Sequence, residues 1–229
     1  MYVWPLYRTF DIFLANPQSG TEVQITKNDG YDAETTASPD GKRIVFASHR
    51  DDDVGIYTMN PDGTDVQKVT SRRGYSGGPF YTSDGQWIVY RAFYPRDAKE
   101  QEEFDRLLRE RTLHPVNLEL YRIHPDGTGE EQLTKNGKVN FAPYPLSDGR
   151  RIIFTSDLES TKHGEYSLYM LDIATKQVER VTHPPNEGEM PGFDGFPIFS
   201  PDGRHLVFIS NRNRQKPHEL NIFMADWRD

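Results

Sequence analysis

Cysteine is absent from the 229 residues, which excludes disulfides, thiolate zinc centres and a cysteine nucleophile. No apolar run approaches the roughly 18 residues of a membrane-spanning helix. The opening MYVWPLYRTF has neither the charged start nor the long apolar core of a signal peptide, so no leader is expected within this sequence. Basic charge is also scarce: 27 Lys and Arg stand against 35 Asp and Glu, for a net charge of −8. That balance excludes a nucleic-acid partner, because phosphate contacts demand a basic face. Apolar residues reach only 35%, while aromatics make up 12% and there are 18 Gly and 16 Pro. Such a mixture suits many short strands joined by tight turns.

What is present is a repeat. Ser38-Pro39-Asp40-Gly41 sits between two short apolar runs, and its Asp-Gly returns at Asp84-Gly85, Asp148-Gly149 and Asp202-Gly203, at intervals of 44, 64 and 54 residues. A second series runs between the copies: IFLANPQSG from 12, IYTMNPDGT from 56, LYRIHPDGT from 120, LYMLDIATK from 168 and IFMADW from 222. A third closes each unit with a short strand ending in threonine, at Thr26, Thr70, Thr134 and Thr182. Fixed order on a basic period of about 44 residues marks a repeat architecture, and four short strands per unit is the pattern of β-propeller blades.

Each unit reads as strand a, a Pro-Asp-Gly turn, strand b, a loop, strand c, an Asn-Pro-Asp-Gly turn and strand d. In the first full unit these fall at 35–38, 42–49, 55–60 and 66–70. Proline presets the first central turn position and Asp-Gly tolerates the positive backbone angles that follow. In an antiparallel meander the a–b and c–d turns lie on one side of the sheet, and the b–c and d–a loops on the other. All the length variation lies on that second side. YPRDAKEQEEFDRLLRERTLHPVN lengthens one b–c loop by 20 residues, LESTKHGEY and NRNRQKPHEL lengthen two more, and HPPNEGEMPGFDG lengthens a d–a loop. Binding groups collect on loops carried by a rigid scaffold, so function is expected on this face. In the long insertion, Phe104, Leu107 and Leu108 at i, i+3 and i+4 predict a helix over 98–111, lying across its blade as a flap.

The units therefore give a half blade over 1–26, full blades over 33–70, 79–134 and 142–182, and a three-stranded last blade over 196–227, with the flap insertion at 95–117. The expectation is an all-β chain, one β-propeller domain of four-stranded antiparallel blades, with 17 strands and about four to four and a half blades present. An open arc leaves blade faces and strand edges unpaired, which favours self-association.

The series SPDGKRIVF, IYTMNPDG and VQKVT resembles the repeat of TolB-like β-propeller proteins, over almost the whole chain. YVWPLYRTFDIFLAN, EEFDRLLRERTLHPVNLELY and NIFMADW also resemble one bacterial subgroup of that family. The resemblance implies a six-bladed propeller, exported to the periplasm or otherwise outside the cytoplasm. Its implied role is a non-catalytic platform for a protein or peptide, or for an envelope glycan. Six four-stranded blades hold about 24 strands, so the chain is expected to be the C-terminal part of a longer protein, or to receive its missing strands from another chain. Two enzyme alternatives follow from the same resemblance: the substrate-gating propeller of a prolyl-oligopeptidase-type peptidase, and a metal-dependent propeller lyase.

Candidate site residues come from the alignment of the four turn aspartates. Asp32, Ser76, Asn140 and Asp194 stand eight residues before them, where inner strand a begins at the mouth of the central channel. His49, Phe93, Asp157 and Asn211 stand nine residues after, at the upper end of strand b, and Glu34 adds a carboxylate to the first inner strand. Asp32, Glu34, His49, Ser76, Asn140, Asp157, Asp194 and Asn211 are thus the candidate ligand-binding residues of the channel rim. The oxygen-rich set Asp32, Glu34, Asn140, Asp157 and Asp194 suits a hard cation such as calcium, or a cationic peptide group. Short polar residues in such places also cap loop backbone by side-chain hydrogen bonds. Five of the seven histidines, His49, His114, His163, His183 and His218, map to the loop-rich face, none paired at helical metal-ligand spacing. Gly74-Tyr75-Ser76-Gly77-Gly78 matches the G-x-S-x-G nucleophile elbow, but Pro79-Phe80-Tyr81 opens a strand where the elbow requires a helix. No catalytic residue is assigned.

Overall fold

Four Asp-Gly turns between strands a and b organise the chain, and the computed structural model, which describes residues 3–184 and 191–228, shows why. In each turn the aspartate carboxylate accepts the N–H two residues on, from Lys42, Gln86, Arg150 and Arg204 in order. The glycine that follows takes a φ between 67 and 71°, where a side chain would be strained.

The strands run β1 (Trp4–Pro5), β2 (Phe13–Asn16), β3 (Thr21–Gln24), β4 (Asp32–Ala37), β5 (Ile44–Ser48), β6 (Gly55–Met59), β7 (Gln67–Lys68), β8 (Tyr75–Tyr81) and β9 (Ile88–Phe93). Helix α1 (Ala98–Arg109) follows, then β10 (Thr112–Leu113), β11 (Glu119–Ile123), β12 (Glu131–Gln132), β13 (Asn140–Pro145), β14 (Arg151–Ser156), β15 (Ser167–Asp172), β16 (Val178–Arg180), β17 (Asp194–Phe199), β18 (His205–Ser210) and β19 (Asn221–Asp226). β4–β5–β6–β7, β8–β9–β11–β12 and β13–β14–β15–β16 are four-stranded antiparallel sheets, β17–β18–β19 is three-stranded, and β2–β3 is a pair. The architecture is a β-propeller of four blades preceded by half a blade, made of the strands the repeat predicts. β1 and β10 are additional. They pair with each other and tie the segment before the half blade to the insertion of the second blade.

The inner strands begin earlier than the repeat suggests, at Asp32, Tyr75, Asn140 and Asp194. Each contains a β-bulge, and the ladder continues beyond it. The residues in the left-handed region at these bulges are Glu34, Gly78, Ala142 and Phe196, with φ of 56, 58, 48 and 55°.

Strand b of each central blade has neighbours on both faces, so its apolar run is continuous rather than alternating. Val45 and Phe46, Val89 and Tyr90, and Ile153 and Phe154 are fully buried. Full burial of such side chains stabilises by roughly 1.5–3 kcal/mol each. Helix α1 is capped by Asp97, whose carboxylate accepts the Glu100 N–H at 2.9 Å, and it buries Phe104, Leu107 and Leu108. It ends two residues before the predicted limit, as Arg111 turns left-handed, with φ 55°, into β10.

Candidate functional site

The first inner bulge presents Glu34 to a side chain that the repeat does not announce. Strand β9 reads IVYRAF, and the position of Arg91 is occupied in the other blades by Ala47, Thr155 and Ile209. Arg91 is buried, and its Nη2 donates to Glu34 Oε1 and, at 2.5 Å, to the Tyr75 hydroxyl. The other Glu34 oxygen accepts the Gly78 N–H at 2.8 Å. Burial alone would lower the Arg91 pKa. The Glu34 carboxylate beside it outweighs that cost and holds the guanidinium charged, above its ordinary range. Burial likewise raises Tyr75 well above a free phenol, so it stays neutral.

Two glycines make this packing possible. A Cβ on Gly77 would stand 2.4 Å from the Tyr75 hydroxyl and 2.6 Å from Glu34, and one on Gly78 would stand 2.2 Å from Arg91 Nη1. The apparent nucleophile elbow is therefore a strand that clears space for an ion pair. Ser76 lies within β8, buried, with the Tyr94 hydroxyl 3.1 Å from its own.

Glu34, Tyr75 and Arg91 line a cavity of about 430 Å³ to which the inner strands of all four blades contribute. The rest of its lining is mostly aromatic and apolar, with Trp4, Tyr31, Phe141, Tyr166, Phe193 and Phe196 among it. From Tyr31 the aromatic surface continues outward through Phe10, 5.8 Å away between ring centres, to the exposed Tyr7, 5.0 Å further. A second cavity, of about 320 Å³, lies beneath α1 and is lined by Phe93, Phe104, Leu107 and His114, with Trp4 as a shared wall.

Of the eight candidate rim residues, Glu34 alone lines the mouth cavity. Of the other seven, all but His49 are held in side-chain hydrogen bonds of the scaffold. Asp32 accepts from Ser48 at 2.5 Å and from Arg50 at 2.8 Å, and Asp194 accepts from Arg212 at 2.5 Å. Asn140 donates to the Leu118 carbonyl and accepts from Ser156, each at 2.8 Å. Asp157 accepts the Val139 N–H at 2.8 Å, and Asn211 accepts the Phe193 N–H at 3.0 Å. His49 is half-buried, and burial, aided by the charge of Arg111, lowers its pKa and favours the neutral ring. Asp32, Asn140 and Asp157 are thus engaged in the scaffold, while Asp194 keeps one buried carboxylate oxygen, Oδ1, without a hydrogen-bond partner. Among the described residues, no group of three or more His, Asp or Glu stands together to hold a metal ion. The long d–a loop expected at HPPNEGEMPGFDG lies partly outside the described residues. Arg91, the residue that sequence reasoning missed, carried a signal: it is a charge inside an otherwise apolar strand b.

A profile of the TolB β-propeller domain, PD40, matches residues 7–103. Those residues form a TolB-like PD40 β-propeller domain. The crystal structure of TolB from Acinetobacter baumannii superposes on 98% of the chain with a TM-score of 0.71 and 18% identity, a likeness of fold. Among curated proteins, an uncharacterized protein of Agrobacterium fabrum is 25% identical over 86% of the chain. Dipeptidyl-peptidase 5 of Porphyromonas endodontalis is 27% identical over 83% of it. The TolB-like chain spans 61% of the Agrobacterium protein, 32% of the peptidase and 50% of the Acinetobacter structure.

Proposed function

We propose that this TolB-like propeller is a non-catalytic binding module of the bacterial cell envelope that holds a polypeptide segment at its channel mouth, with an envelope glycan as the alternative ligand of the same face. The observation that carries the reading is the cavity lining, a buried arginine neutralised by Glu34 among aromatic side chains. Ligand sites are typically concave, mostly apolar and furnished with a few fixed polar groups. A neutral, mostly apolar lining suits backbone carbonyls and apolar side chains better than a polyanion. Ser76, the serine of the elbow-like motif, is buried with the Tyr94 hydroxyl 3.1 Å from its own and does not line this cavity.

The test is selection of a displayed peptide library on the wild type and on the Arg91→Leu/Glu34→Leu double variant, which removes both charges and leaves no unpaired ion. A shared motif retained by the wild type and weakened about tenfold or more in the variant supports the reading. Enrichment indifferent to the change, or turnover of peptides or polyuronates with divalent metals, defeats it. A second reading, the substrate-gating propeller of a serine peptidase, draws on the similarity to Dipeptidyl-peptidase 5. In that case the same mouth admits peptides to a hydrolase domain, and hydrolysis by an assembly containing this propeller decides for it.

A further inference from the structure

Trp4 stands between the two cavities and lines both, together with Tyr75, Leu113 and Pro115. Its indole meets the Tyr75 ring edge-on, centres 6.2 Å apart, and the Arg91 guanidinium carbon lies 5.3 Å from its ring. The strap formed by residues 3–6 is lightly held. Trp4 pairs with Leu113 and Pro5 with Thr112, and the Leu6 N–H donates to the Arg111 carbonyl at 2.8 Å. A two-stranded ladder this short is marginal by itself, although the buried Leu6 side chain anchors one end. Beneath the indole, Arg91 is 6% exposed and its Nε has no hydrogen-bond partner. Leaving a buried donor unpaired is costly. Trp4 brings a π face to this seat but no acceptor oxygen.

Building on the peptide-binding reading, we propose that the seat under Trp4 recognises an aromatic side chain on an extended peptide, and that residues 3–6 are its resident competitor. The ligand pairs with β10 in place of β1, as peptides that extend a sheet edge do. Its ring takes the place of the indole on Tyr75 and Arg91, and a neutral oxygen, a backbone carbonyl or a side-chain amide, accepts from Arg91 Nε. A carboxylate is disfavoured there because Glu34 already neutralises the arginine and would repel a second negative charge. Displacing the strap joins the two cavities, of about 320 and 430 Å³, into one cleft that accommodates residues flanking the aromatic.

The chain supplies its own probe: a blocked, fluorescently labelled hexapeptide, Val-Trp-Pro-Leu-Tyr-Arg, copying residues 3–8. Because the sequence has no cysteine, the double variant Pro5→Cys/Thr112→Cys places a single potential disulfide across the strap and the flap. The reduced form is expected to bind the peptide and the oxidised form to bind at least about tenfold more weakly. Trp4→Ala is expected to bind it more tightly than the wild type by a similar factor. Since Trp4→Ala also removes packing, the redox pair carries the decision, as both states share one sequence. Equal binding in the two states overturns the proposal, as does absence of binding in both by protein whose melting transition matches the wild type. Equal competition by a hexapeptide with serine in place of tryptophan overturns the aromatic specificity. If library selection yields nothing while the reduced form binds the hexapeptide, the broader binding reading fails and the seat stands.

Discussion

At the inner end of each blade, the residue eight places before the turn aspartate is matched to the residue eighteen places later. Asp32 faces Arg50 and Asp194 faces Arg212, whereas Asn140 corresponds to Leu158 and Ser76 to Tyr94. A carboxylate occurs where an arginine can neutralise it and a neutral side chain where none can, as the cost of burying an unpaired charge requires. Asp32→Ala is therefore expected to destabilise by about 3 kcal/mol, the lower end for breaking a buried pair, because Arg50 retains some contact with water. Asp32→Asn/Arg50→Leu copies the third-blade combination and is expected to recover most of that loss in urea unfolding. A double variant no more stable than Asp32→Ala would refute the matching. This rule was legible in the sequence, since both offsets are fixed, but the aspartates viewed without the residue eighteen on look available to a ligand. Arg91 was legible as an anomaly and its partner was not. Glu34 lies in another blade, and the repeat pattern describes contacts within a blade.

The threonine that ends each outer strand has a mechanical role at the scale of the element. The outer strands are short, only two residues in β7 and β12. The hydroxyls of Thr26, Thr70, Thr134 and Thr182 accept the N–H of Ile12, Ile56, Leu120 and Leu168 at 2.8 to 3.0 Å, extending the join to strand c beyond the ladder. Thr70→Val keeps the shape but leaves the Ile56 N–H buried without that acceptor, an expected cost of about 1–3 kcal/mol. Thr70→Ser is expected to retain most of the stability. Amide exchange at Ile56 distinguishes the latch from simple packing: faster exchange in the valine variant alone supports it, and equal exchange in both variants counts against it. Turns and strand order could be read in advance because they depend on local chemistry repeated several times. The β1–β10 ladder could not, since two residues, one of them proline, carry no alternation. The bulges were equally hidden, because Glu34, Ala142 and Phe196 adopt a glycine-like conformation without being glycine.

Over the whole molecule, the middle blades bury both faces and the two ends of the arc bury one. The half blade packs Ile12 and Ile25 against the first blade, while Phe13, Leu14 and Val23 are 54, 55 and 58% exposed. At the other end Leu206 and Phe208 pack inward against the third blade, and Ile222 and Met224 on β19 are 78 and 70% exposed. Exposed apolar residues gathered on an open sheet face mark surfaces that associate. The net charge of −8 opposes association weakly at physiological ionic strength, where exposed charges are screened beyond about 8 Å. The chain by itself is therefore expected to self-associate with rising concentration, through end faces rather than through the aromatic mouth. Ile222→Lys/Met224→Lys is expected to shift sedimentation velocity profiles toward monomer while leaving the melting transition and hexapeptide binding nearly unchanged. A wild type that stays monomeric throughout the dilution series would refute self-association, and association untouched by the lysines but abolished by Arg91→Leu/Glu34→Leu would place the sticky surface at the mouth instead.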